Sequence, residues 1–317
     1  MMPATTSPGS RGLYRFAVVT SGFTVLLLMA GALVTNNYAG DSVPDWPLAY
    51  GRVIPPLVGG IRFEYSHRVL AAIVSILTLT LAIWIQSAEK RPLAKRLGWT
   101  ALALVIAQAA LGGVRVLEGN PAISATAHAT LAQIFFITLV GLTLYLSPWW
   151  QSEQPQLEDA GSPRVTALGV WTVAVLLVQI LLGAAFRHGA FGIDPHLVGA
   201  CVALVMVIWT GRAVKTRFRE VRALRKGVAL LHSTFGVQIL LGFAAWWAMT
   251  ATLDLVQPTG LFVTLTVAHV LGGAATLAAS VLLTLSCFRL VRPAHAGAAV
   301  SSAGTTANQH SPERARV

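Results

Sequence analysis

The sequence predicts an all-α integral membrane protein whose eight transmembrane helices form two parallel-repeat four-helix bundles. Three observations carry this prediction: the composition, the length of the apolar runs, and matched landmarks in the two halves. Of 317 residues, 55% are hydrophobic and only 11% are charged, with a mean hydropathy of +0.67. A soluble domain carries about a quarter charged residues, so few soluble folds tolerate this composition, which also excludes disordered, collagenous and nucleic-acid-binding chains.

Eight apolar runs are long enough to cross a bilayer, which takes about 20 residues of helix. Lipid cannot satisfy unpaired backbone groups, so runs of this length must be helical. The predicted spans are 16–36, 66–86, 98–117, 123–147, 165–186, 195–211, 228–250 and 261–288. They divide the chain into a disordered N-terminus (1–15), an N-terminal half (16–147), a polar linker (148–164), a C-terminal half (165–288) and a disordered tail (289–317).

The distribution of basic residues predicts the orientation. With a cytoplasmic N-terminus, 18 of the 23 Lys and Arg residues fall on the inner side and five on the outer side. Inner loops of membrane proteins are enriched in Lys and Arg, so we expect both termini in the cytoplasm and the chain in the plasma (inner) membrane. This asymmetry explains the net charge of +11 without a nucleic-acid partner. The basic run at 212–226 is either a solvated loop facing the lipid or a docking patch.

The two halves carry the same landmarks in the same order. Equivalent positions are separated by 129, 130 and 141 residues, and the last offset is larger because the final outer loop is longer. The matched pairs are His67 with His196, Gln108 with Gln238, and His128 with His269. Equivalent spans run in the same direction, which predicts parallel repeats related by an axis along the membrane normal.

The four repeated histidines are the strongest candidates for a functional site. All lie near the outer ends of even-numbered spans, in two pairs: His67 with His128, and His196 with His269. Ionisable residues inside a membrane are costly and usually functional. Two imidazoles on different helices of a four-helix bundle are typical of bis-His haem ligation. Interhelical hydrogen bonding is the plainer alternative, and copper or zinc also remains open.

One carboxylate accompanies only the first pair. Glu64 lies three residues before His67 and therefore on the same helical face. It is a candidate for proton transfer beside a haem, or for a hydrogen bond to an imidazole. A helix-start carboxylate stabilised by the macrodipole is the alternative. The second half has Ile193 at this offset, with Asp194 one position later, so we expect the two halves to have different roles.

Three outer arginines lie near the proposed sites: Arg68, Arg115 and Arg187. Arginine binds carboxylates bidentately, so haem propionates and interfacial anchoring are both open roles for them. His188, beside Arg187, is either a propionate contact or a solvated residue. Several glycines within the spans are expected to permit close approach of a helix or a macrocycle.

Several strings together give the chain a resemblance to a known family. They are EYSHR at 64–68, DWPL at 45–48, GALVT at 31–35, RH at 187–188, and AH at 127–128 and 268–269. The chain resembles the haem A synthase family over roughly residues 15–290. The resemblance implies an eight-helix enzyme of cytochrome oxidase assembly, which oxidises the C8 methyl of haem O to a formyl group through an alcohol.

The resemblance also implies roles for individual residues. His67 and His128 would hold the substrate, haem O, with Arg68 beside it, and Glu64 matches the functional carboxylate of the family. The resemblance assigns His196 and His269, with Arg187 beside them, to a haem b cofactor that passes electrons. It also implies haem O synthase and cytochrome oxidase assembly factors as partners, beside the membrane lipid that the composition predicts.

The chain departs from the family at the outer loops. Many bacterial members carry cysteine pairs there, one pair flanking the WPL motif. Here the flanking residues, 42–45 and 49–51, contain no cysteine, and the two cysteines of the chain, Cys201 and Cys287, lie within apolar runs. We therefore expect no loop disulfide. Two rival functions share the histidine pairs: a non-catalytic dihaem electron-transfer protein and a haem-carrying membrane protein.

Overall fold

The computed structural model describes residues 8–252 and 254–294, and this part of the chain is almost entirely helical. Eight of its helices are long and apolar enough to cross a membrane, so the protein is a multi-pass membrane protein. The helices are α1 (Pro8–Asn36), α2 (Ile61–Ala88), α3 (Pro92–Leu117), α4 (Ala122–Leu146), α5 (Pro148–Gln151), α6 (Val165–Arg187), α7 (Asp194–Arg217), α8 (Arg222–Thr250) and α9 (Gly260–Leu290). Two short strands are β1 (Leu157–Asp159) and β2 (Val291–Pro293).

The long helices pack as two rings of four. In the N-terminal half, α1 to α4 each contact the next helix and α4 returns to α1; in the C-terminal half, α6 to α9 do the same. The halves meet through α1 and α4 on one side and α6 and α9 on the other. Each half has its own apolar core, with Leu81 and Leu139 in the first and Leu231 and Leu283 in the second. The parallel repeat stays a prediction, which these matching contacts support.

Much of the apolar surface of the helices points outward. Ile76, Val205 and Leu240 are each more than 60% exposed, although they lie in the middle of spanning helices. In water such a surface would drive aggregation, whereas hydrocarbon tails solvate it without cost. Lipid is therefore the solvent that this surface requires.

Part of each segment predicted to be disordered, at both ends of the chain, has regular secondary structure. The first helix begins at Pro8, so residues 8–15 are helical, and the side chain of Leu13 is buried in the core of the N-terminal half. At the other end, α9 continues to Leu290, which is also buried, and β2 follows it. These segments are ordered because their apolar residues reach the cores. The rest of both predicted segments, 1–7 and 295–317, lies outside the described residues.

The linker between the halves holds a strand that its polar composition did not predict. Strand β1 pairs in parallel with β2, with Leu157 opposite Val291, and Leu157 packs against the core of the C-terminal half. The buried carboxylate of Asp159 fastens this junction. Its Oδ2 accepts a hydrogen bond from the Val165 N–H at 2.8 Å, and its Oδ1 pairs with Nη1 of Arg217 at 3.3 Å.

The Asp159 junction gives a stability prediction. Asp159→Ala leaves the backbone N–H groups of Gly161 and Val165 without their acceptor and removes the ion pair to Arg217, so we expect the free energy of unfolding to fall by about 1–3 kcal/mol. Thermal unfolding in mild detergent measures the change. The control is Glu158→Ala on the same strand, which removes only an exposed ion pair to Arg292 and should cost less than about 1 kcal/mol. Equal losses in the two variants would contradict this role of Asp159.

Candidate functional site

Four histidine rings lie directly against glycines of the preceding helix. In each case a Cβ added to the glycine would lie 2.8–3.1 Å from Cε1 of the ring, closer than ordinary contacts allow. The pairs are Gly31 with His67, Gly112 with His128, Gly183 with His196, and Gly242 with His269. All eight residues lie towards one end of the bundle, which we call the histidine end. The glycines thus act here as predicted, by permitting close approach.

The rings face each other in pairs within each half. The ring centres of His67 and His128 are 6.5 Å apart with planes at 74°, and those of His196 and His269 are 6.3 Å apart with planes at 83°. An imidazole nitrogen binds a metal at about 2 Å, and the ring centre lies roughly 1 Å behind it, so two rings that share one metal lie about 6 Å apart. Both separations fit one iron between two imidazoles.

The chemistry of the donors also fits haem. No cluster of three or more His, Cys, Asp or Glu side chains suited to a metal ion occurs within residues 8–252 and 254–294. Each pair therefore offers two nitrogens, the set that completes an iron already held by four porphyrin nitrogens. In addition, the Nδ1 atoms of His67, His128 and His269 are buried with no hydrogen-bond partner among the described residues.

Glu64 is buried beside the first pair, and both of its carboxylate oxygens are bonded to protein groups. Only 4% of the residue is exposed; its Oε2 accepts the Val43 N–H at 2.9 Å, and its Oε1 pairs with Nη2 of Arg68 at 2.7 Å. At the equivalent position of the second half, Ile193 is partly buried and the neighbouring Asp194 is exposed. The structure therefore retains the asymmetry seen in the sequence, with a buried carboxylate at one pair alone.

Arg68 is the clamp of the loop between α1 and α2. Besides Glu64, its guanidinium donates to the main-chain carbonyls of Val43, Asp45 and Leu48 at 2.7–3.2 Å. Both terminal nitrogens are thus bonded to protein. The predicted contact of Arg68 with a haem propionate is left untested, and these bonds favour a role in holding the loop.

Further hydrogen bonds hold the same loop without a disulfide. The carboxylate of Asp45 accepts the backbone N–H groups of Tyr50 at 2.6 Å and Gly51 at 2.7 Å. These bonds, that of Gly51 first, hold the pKa of Asp45 below its ordinary range. The ring of Trp46 lies against Gly113 of α3, where a Cβ would come within 2.7 Å of it. The DWPL string is therefore a fastened loop that contacts the N-terminal half.

Arg187 joins the two halves at the histidine end. From the end of α6 its Nε donates to Oδ1 of Asn36 at 3.0 Å, and its Nη2 to the carbonyl of Thr35 at 2.9 Å. Its guanidinium also lies 5.6 Å from the ring centre of Tyr38 and 5.9 Å from that of Phe262. Nη1 makes no hydrogen bond within the described part of the chain.

Two further basic residues approach the first pair. The Nε of Arg115 donates to Oδ1 of Asn120 at 2.5 Å, and the amide of Asn120 in turn bonds Asp41 and the Gly40 carbonyl. Burial, helped by the positive charges of Arg115 and Arg187, lowers the pKa of His188 to about 4. His188 is therefore neutral at physiological pH.

Sequence reasoning missed one set of residues at the site. Amide side chains of Gln108, Gln179 and Gln238 contact His128, His196 and His269 respectively. Gln108 and Gln238 entered the sequence comparison only as repeat landmarks, and Gln179 was not singled out. The available signal was their spacing, because each precedes a histidine-contacting glycine by four residues.

The chain is similar to known proteins along most of its length. Residues 61–194 match a family model described as cytochrome oxidase assembly protein. A haem A synthase from Shouchella clausii is 30% identical over 235 residues, which are 73% of each chain. A haem A synthase from Symbiobacterium thermophilum is 25% identical over 73% of this chain and 85% of its own. On this similarity, the chain belongs to the haem A synthase family of cytochrome oxidase assembly.

Proposed function

We propose that this protein oxidises the C8 methyl of haem O to the formyl group of haem A through a hydroxymethyl intermediate. The observation that carries the proposal is the unequal environment of two equivalent histidine pairs, since Glu64 lies beside one pair only. Two identical sites would suit simple electron transfer, whereas a substrate site and a cofactor site need different surroundings.

The proposed reaction determines how many protons and electrons the protein has to transfer. Counted with oxygen entering at the level of water, methyl to hydroxymethyl releases two electrons and two protons, and hydroxymethyl to formyl releases two more of each. Release of these protons requires an ionisable group near the substrate, and release of the electrons requires an electron acceptor. We assign the proton transfer to the carboxylate of Glu64.

We assign the two pairs to different haems. His67 and His128 bind the substrate, haem O, and His196 and His269 hold haem b. When bound, haem b supplies a one-electron redox centre. We assign the free Nη1 of Arg187 to a haem propionate, and Arg68 to holding Glu64 and its loop in place.

We place the histidine end on the outer side of the plasma membrane, with both termini in the cytoplasm. The support is the distribution of basic residues, 18 inner against five outer. In this arrangement haem O arrives from the synthase that makes it, and haem A leaves towards cytochrome oxidase assembly factors.

Glu64→Gln tests the assignment of the carboxylate. Glutamine has one acceptor oxygen, so it keeps the bond from the Val43 N–H or the bond from Arg68 but not both, and it cannot take a proton. We expect haem O to stay bound and its conversion to fall by at least about 100-fold. Chromatography of haems extracted from cells expressing each variant measures the conversion. Glu89→Gln, at the opposite end of the bundle, is the control and should convert normally. Unchanged conversion in Glu64→Gln would remove Glu64 from the chemistry.

Histidine variants test the division between the halves. We expect His196→Ala and His269→Ala to lose haem b, and His67→Ala to lose haem O while keeping haem b, because each substitution removes one iron ligand. Haem content per chain, resolved by type, is the measurement. His232→Ala is the control, since among the described residues its ring bonds the Val207 carbonyl at 3.3 Å and lies against Gly211, with no contact to either histidine pair, and it should leave both haems in place. Equal loss of both haems from every ligand variant would contradict the division.

A further inference from the structure

The turn between α7 and α8 is strongly basic and lies where two spanning helices end. Residues 212–226, which we call the basic turn, contain seven Lys and Arg residues and one acid, Glu220. They lie at the end of the bundle opposite the histidine end, since α7 ends at Arg217 and α8 begins at Arg222. The sequence leaves two roles open for this segment, a solvated loop and a docking patch.

Most of these cations have no partner in the protein. Arg217 pairs with the buried Asp159. Arg219 pairs with Glu220, but both side chains are more than 80% exposed, and such exposed pairs contribute little. The side chains of the other five are exposed and make no hydrogen bond or ion pair with residues 8–252 and 254–294. These five are Arg212, Lys215, Arg222, Arg225 and Lys226.

The corresponding turn of the N-terminal half, between α2 and α3, supplies its own anion. The carboxylate of Glu89 accepts the backbone N–H groups of Lys90 and Arg91 at 2.8 and 3.1 Å. It also pairs with the guanidinium of Arg91 at 2.7 Å. Only 13% of the Glu89 side chain is exposed, against 86% for Glu220. The basic turn therefore lacks the internal carboxylate that fastens its counterpart.

The needs of the helices themselves do not explain the extra charge. The macrodipole favours acids at the start of a helix, yet the first turn of α8 has none and Arg222 and Arg225 lie there. The rule that inner loops are basic applies equally to the α2–α3 turn, but residues 86–96 carry four Lys and Arg residues where the basic turn carries seven.

A cavity of about 350 Å³ lies within the basic turn. It is lined by Lys215, Arg219 and Arg225, by Glu220, and by Val214 and Phe218. The two apolar residues belong to the core of the C-terminal half, whereas the three cations are exposed. Apolar walls beside unpaired cations suit an amphiphile with a negatively charged head.

The cavity lies close to the surface that faces lipid. Trp209 on α7 and Leu230 on α8 are 47% and 44% exposed. At 1.5 Å per residue of helix, Lys215 lies about 9 Å beyond Trp209, and Arg225 lies about 8 Å beyond Leu230. The polar layer of a bilayer is about 5–8 Å thick on each side of the hydrocarbon. The cations therefore lie at the depth of the lipid headgroups.

We propose that the basic turn binds the headgroup of an anionic phospholipid, with Lys215 and Arg225 pairing with its phosphate. Each Lys or Arg near a membrane surface strengthens the attraction to anionic lipid, by roughly fivefold in affinity. The lipid supplies the negative charge that Glu89 supplies at the α2–α3 turn. The proposal goes beyond the haem chemistry and does not depend on the haem assignments.

Lipid binding by the delipidated, full-length protein in detergent tests the proposal, with native mass spectrometry as the measurement. Dioleoylphosphatidylglycerol is the anionic probe, and dioleoylphosphatidylcholine, with the same acyl chains, is the probe without net charge. We expect the wild type to bind the anionic lipid at least about tenfold more tightly. In the double variant Lys215→Gln and Arg225→Gln, the dissociation constant for the anionic lipid should rise about tenfold or more, because two cations are removed.

The control is the double variant Lys95→Gln and Arg96→Gln, which removes the same charge near the start of α3, at the same end of the bundle, and should keep the preference. Equal affinity of the wild type for the two lipids would overturn the proposal without recourse to any variant. Equal losses in the test and control variants would also overturn it, since they would indicate general attraction between charge and lipid.

A soluble anion is excluded or established by competition. Millimolar inorganic phosphate should leave the anionic lipid bound, because the apolar walls and the adjacent bilayer favour an amphiphile. Displacement of the lipid by phosphate would assign the cavity to a soluble anion and overturn the proposal. The proposed function is tested separately by haem conversion and stands or falls independently of all these results.

Discussion

The close contact between an imidazole ring and a helix backbone is the constraint on which the histidine end depends. An imidazole ring can lie against the backbone of the preceding helix only where that helix has no side chain, and glycine provides this place at all four histidines. With the rings placed in this way, the centres of the paired rings lie 6.5 Å and 6.3 Å apart. The loop clamp of Arg68 and the cross-half bonds of Arg187 then hold the same end of the bundle closed.

One difference between the halves falls at the histidine pairs. The N-terminal half has a buried carboxylate, Glu64, where the C-terminal half has Ile193. A duplicated bundle with two equal sites would not need this difference. It suits one site that changes a haem and one that retains it, which is the division of labour we propose for this member of the haem A synthase family.

The spans and the histidine pairs were predictable because hydropathy and repeated spacing are local properties of the sequence. The order of residues 8–15 was not, since it depends on the burial of Leu13 in a core built mostly from later helices. Strand β1 was missed because three residues show no period, and its partner lies 134 positions later. The acceptors of Arg68 were also invisible, because main-chain carbonyls carry no sequence signal. The repeat and the site assignments stay predictions.

The haem content of the purified wild-type protein tests the central claim most directly. The protein would be expressed in a host that makes haem O, and its haems extracted and separated by chromatography. The account predicts haem B together with haem O, its hydroxylated intermediate or haem A, since the two pairs bind different haems. Haem B alone at two per chain would contradict a substrate site and indicate a dihaem electron-transfer protein. A folded protein without haem would contradict the assignment of all four histidines.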